Sequence, residues 1–590
     1  MSTESSERHR SSLKKSLSAG SVTARFVFPV LLLLYALIAA DQGAELSDTM
    51  YSVGNYAFFH ESTGSWLYAT WLSNLFGRLL FLICGGRLLY LNLVCRLFSA
   101  AAALTVYELL KKRFHPLLLF PAELAALGLV WSPSVILYQN LSVLALTAAA
   151  LLLYSGLMER SRRRMFAAGF ILGAALLVRV SNLTYCALIL LVFYDDIKYK
   201  RTRSLPGDLG CCIGGYAAGL AAALLTIPVF GSGSGLGESM DWLFGLFSGK
   251  SGGGGYTAGE MLSSIADNYL GNLYWVFFAA AGMGLGTVMF LLLKERFVPV
   301  KKLLYCAGLV LLLWYYVRNG VADRAWYNVG SIFGISVVCL WLLAALDLWV
   351  LIDRKTEARE KGLALTALLV QLIAPLGSNN HLYSVIGCMF LLLPAGLHFL
   401  IGLGGSRGKG KAWSFPVLSM GIALFLLLLV QSAGFHFSFA FKDGTDGTAR
   451  DRRIETPDTL RGLKTTAAHA EAIRGLGGAL SDAEGRLLTF GDLPGLHYVF
   501  ELPPALSTLW PDLESYPAAD YEQELRAVFA SGERPLLILS REAQEALLSD
   551  GGKSYGDGKK LSLLGDFLYN GHYTAAYENE EFVLYESEQR

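Results

Sequence analysis

Three carboxylates, Asp41, Glu45 and Asp48, fall within eight residues and are followed by Thr49-Met-Tyr51. Glu45 and Asp48 are three apart and would share a helix face. Acids so placed can take the proton of an attacking hydroxyl, or share a divalent cation that holds a phosphate. A solvated acidic loop would show the same spacing. Arg179 stands in Val178-Arg-Val-Ser-Asn182 between two apolar runs. A guanidinium there is costly to bury unless it meets an anion, either a phosphate gripped bidentately or a lipid headgroup reached by snorkelling. With it goes Asn182. A second polar turn, Ser378-Asn-Asn-His381, offers groups for hydroxyls or phosphate, or merely caps a hairpin. Arg318, Asp323, Arg324 and Trp326 form a third cluster, suited to phosphate and a stacked ring or to an interfacial anchor.

These residues must be positioned by something other than a soluble core. Of 590 residues, 54% are apolar and 16% charged, against about 25% charged in soluble domains. Mean hydropathy is +0.44. The apolar residues come in blocks such as Phe26–Ala40 and Val417–Val430, which read as membrane helices. A soluble enzyme, a nucleic-acid binder and a secreted disulfide scaffold are excluded. The net charge of +1 hides an asymmetry: from Lys442 onward there are 15 basic and 26 acidic side chains, so the tail is near −11 and the rest near +12. All eight cysteines precede the tail, and no Cys-x-x-Cys pattern suggests a structural zinc site.

Basic clusters give the threading, because Lys and Arg mark the cytoplasmic ends of spans. Residues 1–25 are a basic N-terminus. Then come Lys111–Arg113, Arg160–Arg164, Lys198–Arg203, Lys294–Lys302, Arg354–Lys361 and Arg407–Lys411, with room for two spans between neighbours. Trp66–Gly85 breaks the parity if it crosses, and is read as a helix lying in the outer interface. The expectation is a polytopic α-helical membrane protein of about thirteen spans over 26–434, with long outer loops at 41–65 and 231–272. The N-terminus would be inside, and residues 442–590 would form an extracytoplasmic α/β domain. Arg486–Phe490, Pro535–Leu539 and Glu581–Tyr585 read as strands, and Tyr521–Ala530 and Glu542–Leu548 as helices. Gly245–Ser251 has one residue too few between its glycines for a phosphate-binding loop.

A first helix, an acidic outer loop Glu45-Leu-Ser-Asp48-Thr-Met-Tyr51 and an interfacial helix together resemble the C-type integral-membrane glycosyltransferases (GT-C). Protein O-mannosyltransferases, lipid A aminoarabinose transferases and oligosaccharyltransferases belong to that superfamily. Many relatives have adjacent Asp-Glu, whereas here Thr49 follows Asp48. The resemblance implies an inverting transfer of a hexosyl or pentosyl group from a polyprenyl-phosphate sugar to a glycan, lipid or protein acceptor on the outer face. Asp48 would be the catalytic acid or base, with Glu45 and Asp41 as helpers and a divalent metal ion as the one cofactor admitted. Arg179, Asn182, Ser378, Asn379, Asn380, His381, Arg318 and Arg324 are the candidate substrate-binding residues. One rival is a transporter or flippase of a lipid-linked or envelope-polymer substrate, with charges at mid-membrane such as Asp347, and a second is a non-enzymatic scaffold whose acidic tail binds partners.

Overall fold

The computed structural model describes residues 21–61, 65–231, 258–293, 297–377, 380–404, 410–552 and 555–588. Expectations for the first twenty residues, for 232–257, for Ser378 and Asn379, and for basic positions at 294–296 and 407–409 lie outside them.

Apolar helices form the body. Eight are long and apolar enough to cross a membrane, from Leu88–Leu110 to Ser414–Ser438. His381–Gly387 and Met389–Gly404 make a ninth if their 70° bend lies within one broken span. Thr23–Leu37, Trp71–Ile83 and Pro116–Gly128 are apolar but shorter. The expected thirteen is not met on length and apolarity among the described residues. Arg162–Val178 and Ala358–Ile373, for example, have 17 and 16 residues, short of the roughly 20 a straight span requires.

The basic clusters collect at one end of this bundle. Arg113 Nη1 donates to Tyr154 Oη at 2.8 Å, and Phe114 stacks on His398, whose ring lies 3.4 Å from Glu360. Arg160 pairs with Asp195 at 2.7 Å and with Asp196 at 3.4 Å. The other end carries residues 41–57, the turns at 131–137 and 178–182, and the tail. Trp66–Gly85 holds to that second end: Tyr498 Oη of the tail donates to the Gly86 carbonyl at 2.7 Å, and Arg78 to the Tyr56 carbonyl at 2.8 Å. Helix Trp71–Ile83 thus begins and finishes on the tail's side.

The tightest helix pair is Arg162–Val178 with Leu205–Leu224. Gly169 and Gly173 face Gly215 and Gly219, and a Cβ on any of the four would come within 2.1 Å of a carbonyl oxygen on the other helix. The small-x-x-x-small spacing lets the two backbones touch, so dispersion rather than side-chain burial holds them.

The tail folds as an α/β unit. Strands β1 (Arg452–Arg453) and β2 (Lys464–Thr465) pair antiparallel. Strands β3 (Leu487–Phe490), β4 (Leu536–Ser540), β5 (Tyr573–Glu578) and β6 (Phe582–Ser587) form a sheet ordered β3-β4-β6-β5, with only β3 and β4 parallel. Alternation divides its residues between two cores. Leu488, Phe490, Leu537 and Leu539 pack on helices Ala518–Ser531 and Gly558–Asn570. Leu487, Leu536, Ile538 and Leu584 pack on helix Ala467–Ala479 and on Leu46, Met50, Val53 and Tyr56. The segment that carries Leu46, Met50, Val53 and Tyr56 is therefore part of the tail's hydrophobic core and not a solvated connector.

Candidate functional site

The three acids of that loop have separate surroundings. Asp41 lies against β2: its carboxylate is 2.7 Å from Lys464 Nζ, and its carbonyl accepts the Lys464 N–H at 2.7 Å. Burial alone would raise its pKa, but the Lys464 hydrogen bond and charge outweigh that and hold it below the usual carboxylate value. Glu45 is buried, accepting from Ser47 Oγ and, at 2.7 Å, from the Thr49 N–H. Its oxygens serve the otherwise unpaired start of helix Asp48–Ala57. Burial, reinforced by the Asp48 charge, raises its pKa. Neither acid borders a cavity near Asp48.

Asp48 does. It is the first residue of its helix and lines a cavity of about 490 Å³. Its carboxylate lies 2.7 Å from Nζ of Lys442, which also donates to Ser47 Oγ at 3.0 Å. Burial works against the Lys442 ammonium, yet Asp48 outweighs it and keeps the pKa above the usual lysine value. The Lys442 backbone is left-handed, with φ 49°, as is that of His381, with φ 43°. Both line the Asp48 cavity. Such conformations cost about 1–3 kcal/mol each and cluster at functional sites.

Aromatic rings make much of the remaining wall. Trp510, from the tail, meets Tyr51 edge-on with ring centroids 5.3 Å apart, and its Nε1 donates to Asp492 at 3.2 Å. Burial pushes the Tyr51 phenol up to about 12, so it stays neutral. Trp131 is fixed by donating to the Tyr383 carbonyl at 2.8 Å. A smaller apolar cavity of about 80 Å³ shares Trp131, Gln139, Asn380 and Tyr383 with the first, and Arg179 lines it. The Arg179 guanidinium sits 5.0 Å from the ring centre of Tyr138, whose residue borders the Asp48 cavity.

Of the sequence candidates, Asp48, Asn380 and His381 thus meet at one cavity, with Arg179 one ring away. Asn182 borders the smaller cavity, but its amide donates to Ser142 Oγ at 2.8 Å and to the Ala175 carbonyl at 2.9 Å, fixing its own turn. Arg318 and Arg324 are exposed and line neither cavity. Beside Arg324, Trp326 and the Asp323 carbonyl bond Gln431, which ties this turn to helix Ser414–Ser438. Lys442, Trp131, Tyr138 and Trp510 were not singled out for the site from sequence; Tyr51 entered only as the aromatic that follows Asp48 in the motif.

The residues present do not fit a metal ion held by the acid trio. Glu45 is engaged by Thr49 and Ser47, Asp41 by Lys464, and Asp48 by an ammonium. Among the described residues no group of three or more His, Cys, Asp or Glu gathers that could hold one.

No protein-family model and no curated protein matches the chain. Among solved structures it is similar to ArnT from Cupriavidus metallidurans bound to undecaprenyl phosphate, at 13% identity, TM-score 0.44, and 96% and 98% coverage of the two chains. It is also similar to the Archaeoglobus fulgidus oligosaccharyltransferase in complex with Zn and sulfate (14%, TM-score 0.45, 95% and 73% coverage). A third is the arabinosyltransferase EmbB from Mycobacterium smegmatis (13%, TM-score 0.31, 69% and 41% coverage). The chain itself is a largely helical membrane protein with a small C-terminal mixed sheet.

Proposed function

We propose that the protein is a membrane glycosyltransferase that moves a sugar from a polyprenyl-phosphate-type lipid donor to an acceptor hydroxyl at the outer face of the membrane. The observation that carries this reading is the Asp48–Lys442 pair, 2.7 Å apart at the wall of a 490 Å³ cavity with aromatic sides. An acid and a fixed cation side by side suit a displacement in which one oxygen loses a proton while another gains charge. The acceptor oxygen attacks the anomeric carbon, Asp48 takes its proton, and the bond to the phosphate oxygen breaks with inversion. Lys442 and Arg179 hold the phosphate as its charge grows, Lys442 as a point charge and Arg179 through its planar fork. Tyr51, Trp131 and Trp510 present rings against which a sugar packs. The outer orientation follows from the basic clusters at the opposite end, and a lipid-linked donor follows from the orientation, since nucleotide sugars stay in the cytoplasm.

Glu123 and Asp347 are buried within apolar helices, as a transporter would require, but neither borders the Asp48 or the Arg179 cavity. Purified protein incubated with a panel of radiolabelled polyprenyl-phosphate sugars tests the reading. Transfer or slow hydrolysis of one member, lost in Asp48→Asn, is the expected result. Release of no sugar from any donor, with the fold intact, would overturn it.

A further inference from the structure

At the end of the bundle opposite Asp48, a cavity of about 710 Å³ opens between the starts of helices Arg162–Val178 and Leu205–Leu224. Five cations line it, Arg160, Arg162, Lys200, Arg201 and Arg203, with Asp208 as the one lining acid. Three buried carboxylates hold the arginines in place. Arg160 pairs with Asp195, Asp196 and Asp208, Arg162 with Asp208 at 3.1 Å, and Arg201 with Asp195 at 3.1 Å. Five cations against three carboxylates leave two positive charges over. Lys200 and Arg203 are exposed, and Lys200 takes a left-handed backbone, φ 56°, as does Arg160, φ 57°. Side chains that merely repelled one another would splay into solvent. Here buried acids hold three of the five, Arg160, Arg162 and Arg201, at a shared space, as fixed partners do for a bound anion.

The surroundings say where the anion comes from. Phe166, Phe170 and Ile213 are exposed on the two helices that frame the cavity, and Leu190 and Ile197 on helix Leu190–Lys198, which leads into its Lys200–Arg203 wall. An apolar belt below a basic cavity matches a lipid, with acyl chains along the helices and phosphate among the guanidinium groups. The glycine contacts between the two longer helices keep the cavity's two sides at a fixed separation.

We propose that this cavity binds the phosphate headgroup of an anionic phospholipid in the leaflet facing away from the Asp48 site. Phosphate is the shared chemistry, and the lipid rather than free phosphate is its source. The test is native mass spectrometry of the delipidated full-length protein with phosphatidylglycerol and, separately, phosphatidylcholine. Lys200→Gln with Arg203→Gln removes two charges and leaves every ion pair named above intact. About fivefold per charge is the usual worth of a basic residue at an anionic surface. The double variant should therefore lose roughly 10–30-fold in preference for phosphatidylglycerol, with phosphatidylcholine binding unchanged. Arg163→Gln with Lys198→Gln removes two nearby charges outside the cavity and should leave the preference in place. Equal loss in both double variants would mean a diffuse surface charge and overturn the proposal, as would no loss in either. Displacement of phosphatidylglycerol by millimolar inorganic phosphate would assign the cavity to a soluble anion and overturn the lipid source.

Discussion

Lys442 Nζ lies 2.7 Å from the Asp48 carboxylate although 394 residues separate them in the chain. One partner begins a short helix beyond the first apolar segment, and the other follows the last. With the acid half-exposed, the pair adds little to stability, about 1 kcal/mol or less. On the proposed function its worth is chemical, and removing it should leave the protein folded. Asp48→Asn should lower turnover about 10²–10⁴-fold. Lys442→Met should cost about 10²–10³-fold, the loss usual for one group stabilising a developing anion. Glu45→Gln should cost far less in turnover, because that carboxylate caps a helix and borders neither cavity near Asp48. Steady-state kinetics on the three variants decide this. Full activity in Asp48→Asn with a dead Glu45→Gln would move the base to Glu45.

Arg179→Lys keeps the charge but loses the planar fork and its stacking over Tyr138. Donor binding should weaken by roughly 1–3 kcal/mol, read as an increase in donor KM, with Arg179→Ala at least as severe. If both variants bind donor like the parent, Arg179 is a headgroup anchor.

Trp510→Ala opens one side of the cavity while leaving Asp48 and Lys442 in place. Loss of an aromatic contact worth about 0.5–1.5 kcal/mol should raise the KM for a sugar substrate about 2–10-fold and leave kcat within a few-fold. A kcat collapse at unchanged KM would instead place Trp510 among the groups that align the reacting atoms.

His469 should make docking of the tail depend on pH. Its Nδ1 lies 2.6 Å from the Glu581 carboxylate and its Nε2 2.9 Å from the Ala44 carbonyl. Both neighbours are acceptors, so only the doubly protonated ring can donate to both. Burial lowers its pKa, but the Glu581 hydrogen bond and charge prevail and leave it raised. The stabilisation is thus fully present below the unfolded value of about 6.5 and is lost as pH rises through the folded one. Thermal stability should fall as pH rises above about 6.5, and His469→Gln should flatten that slope. An unchanged slope in the variant would assign the pH dependence elsewhere.

Topology is checked with an impermeant thiol reagent on intact cells. Glu580→Cys, in the tail, should label at once, and Arg163→Cys only after permeabilisation. The reverse pattern would invert the membrane orientation and, with it, the need for a lipid-linked donor.

Much of the architecture was legible because its signals are local. Apolar blocks give the helices, basic clusters fall together at one end, and three strands and two helices of the tail lie within a few residues of where alternation puts them. The site was legible only in part. Asp48 and Glu45 look alike in sequence, and what separates them is the Thr49 N–H, which turns Glu45 inward. Lys442 looked like the first residue of an acidic tail, because nothing local to it points to an acid nearly four hundred residues away. Trp510 sits in a domain that composition describes only as soluble and acidic. Arg324, placed in the site on its residue type, lies beside a turn held by Gln431.

Because Lys442 and Trp510 come from the tail while Asp48 comes from the first loop, the cavity wall cannot close until the tail has been made and docked. For most of its synthesis the membrane body carries an acid without its cation. Under the proposed function, a chain that drew on lipid-linked sugars as soon as it was inserted would otherwise risk transferring them to whatever hydroxyl lies near a half-built protein. Placing the counter-charge late in the chain would tie the onset of that chemistry to docking of the tail.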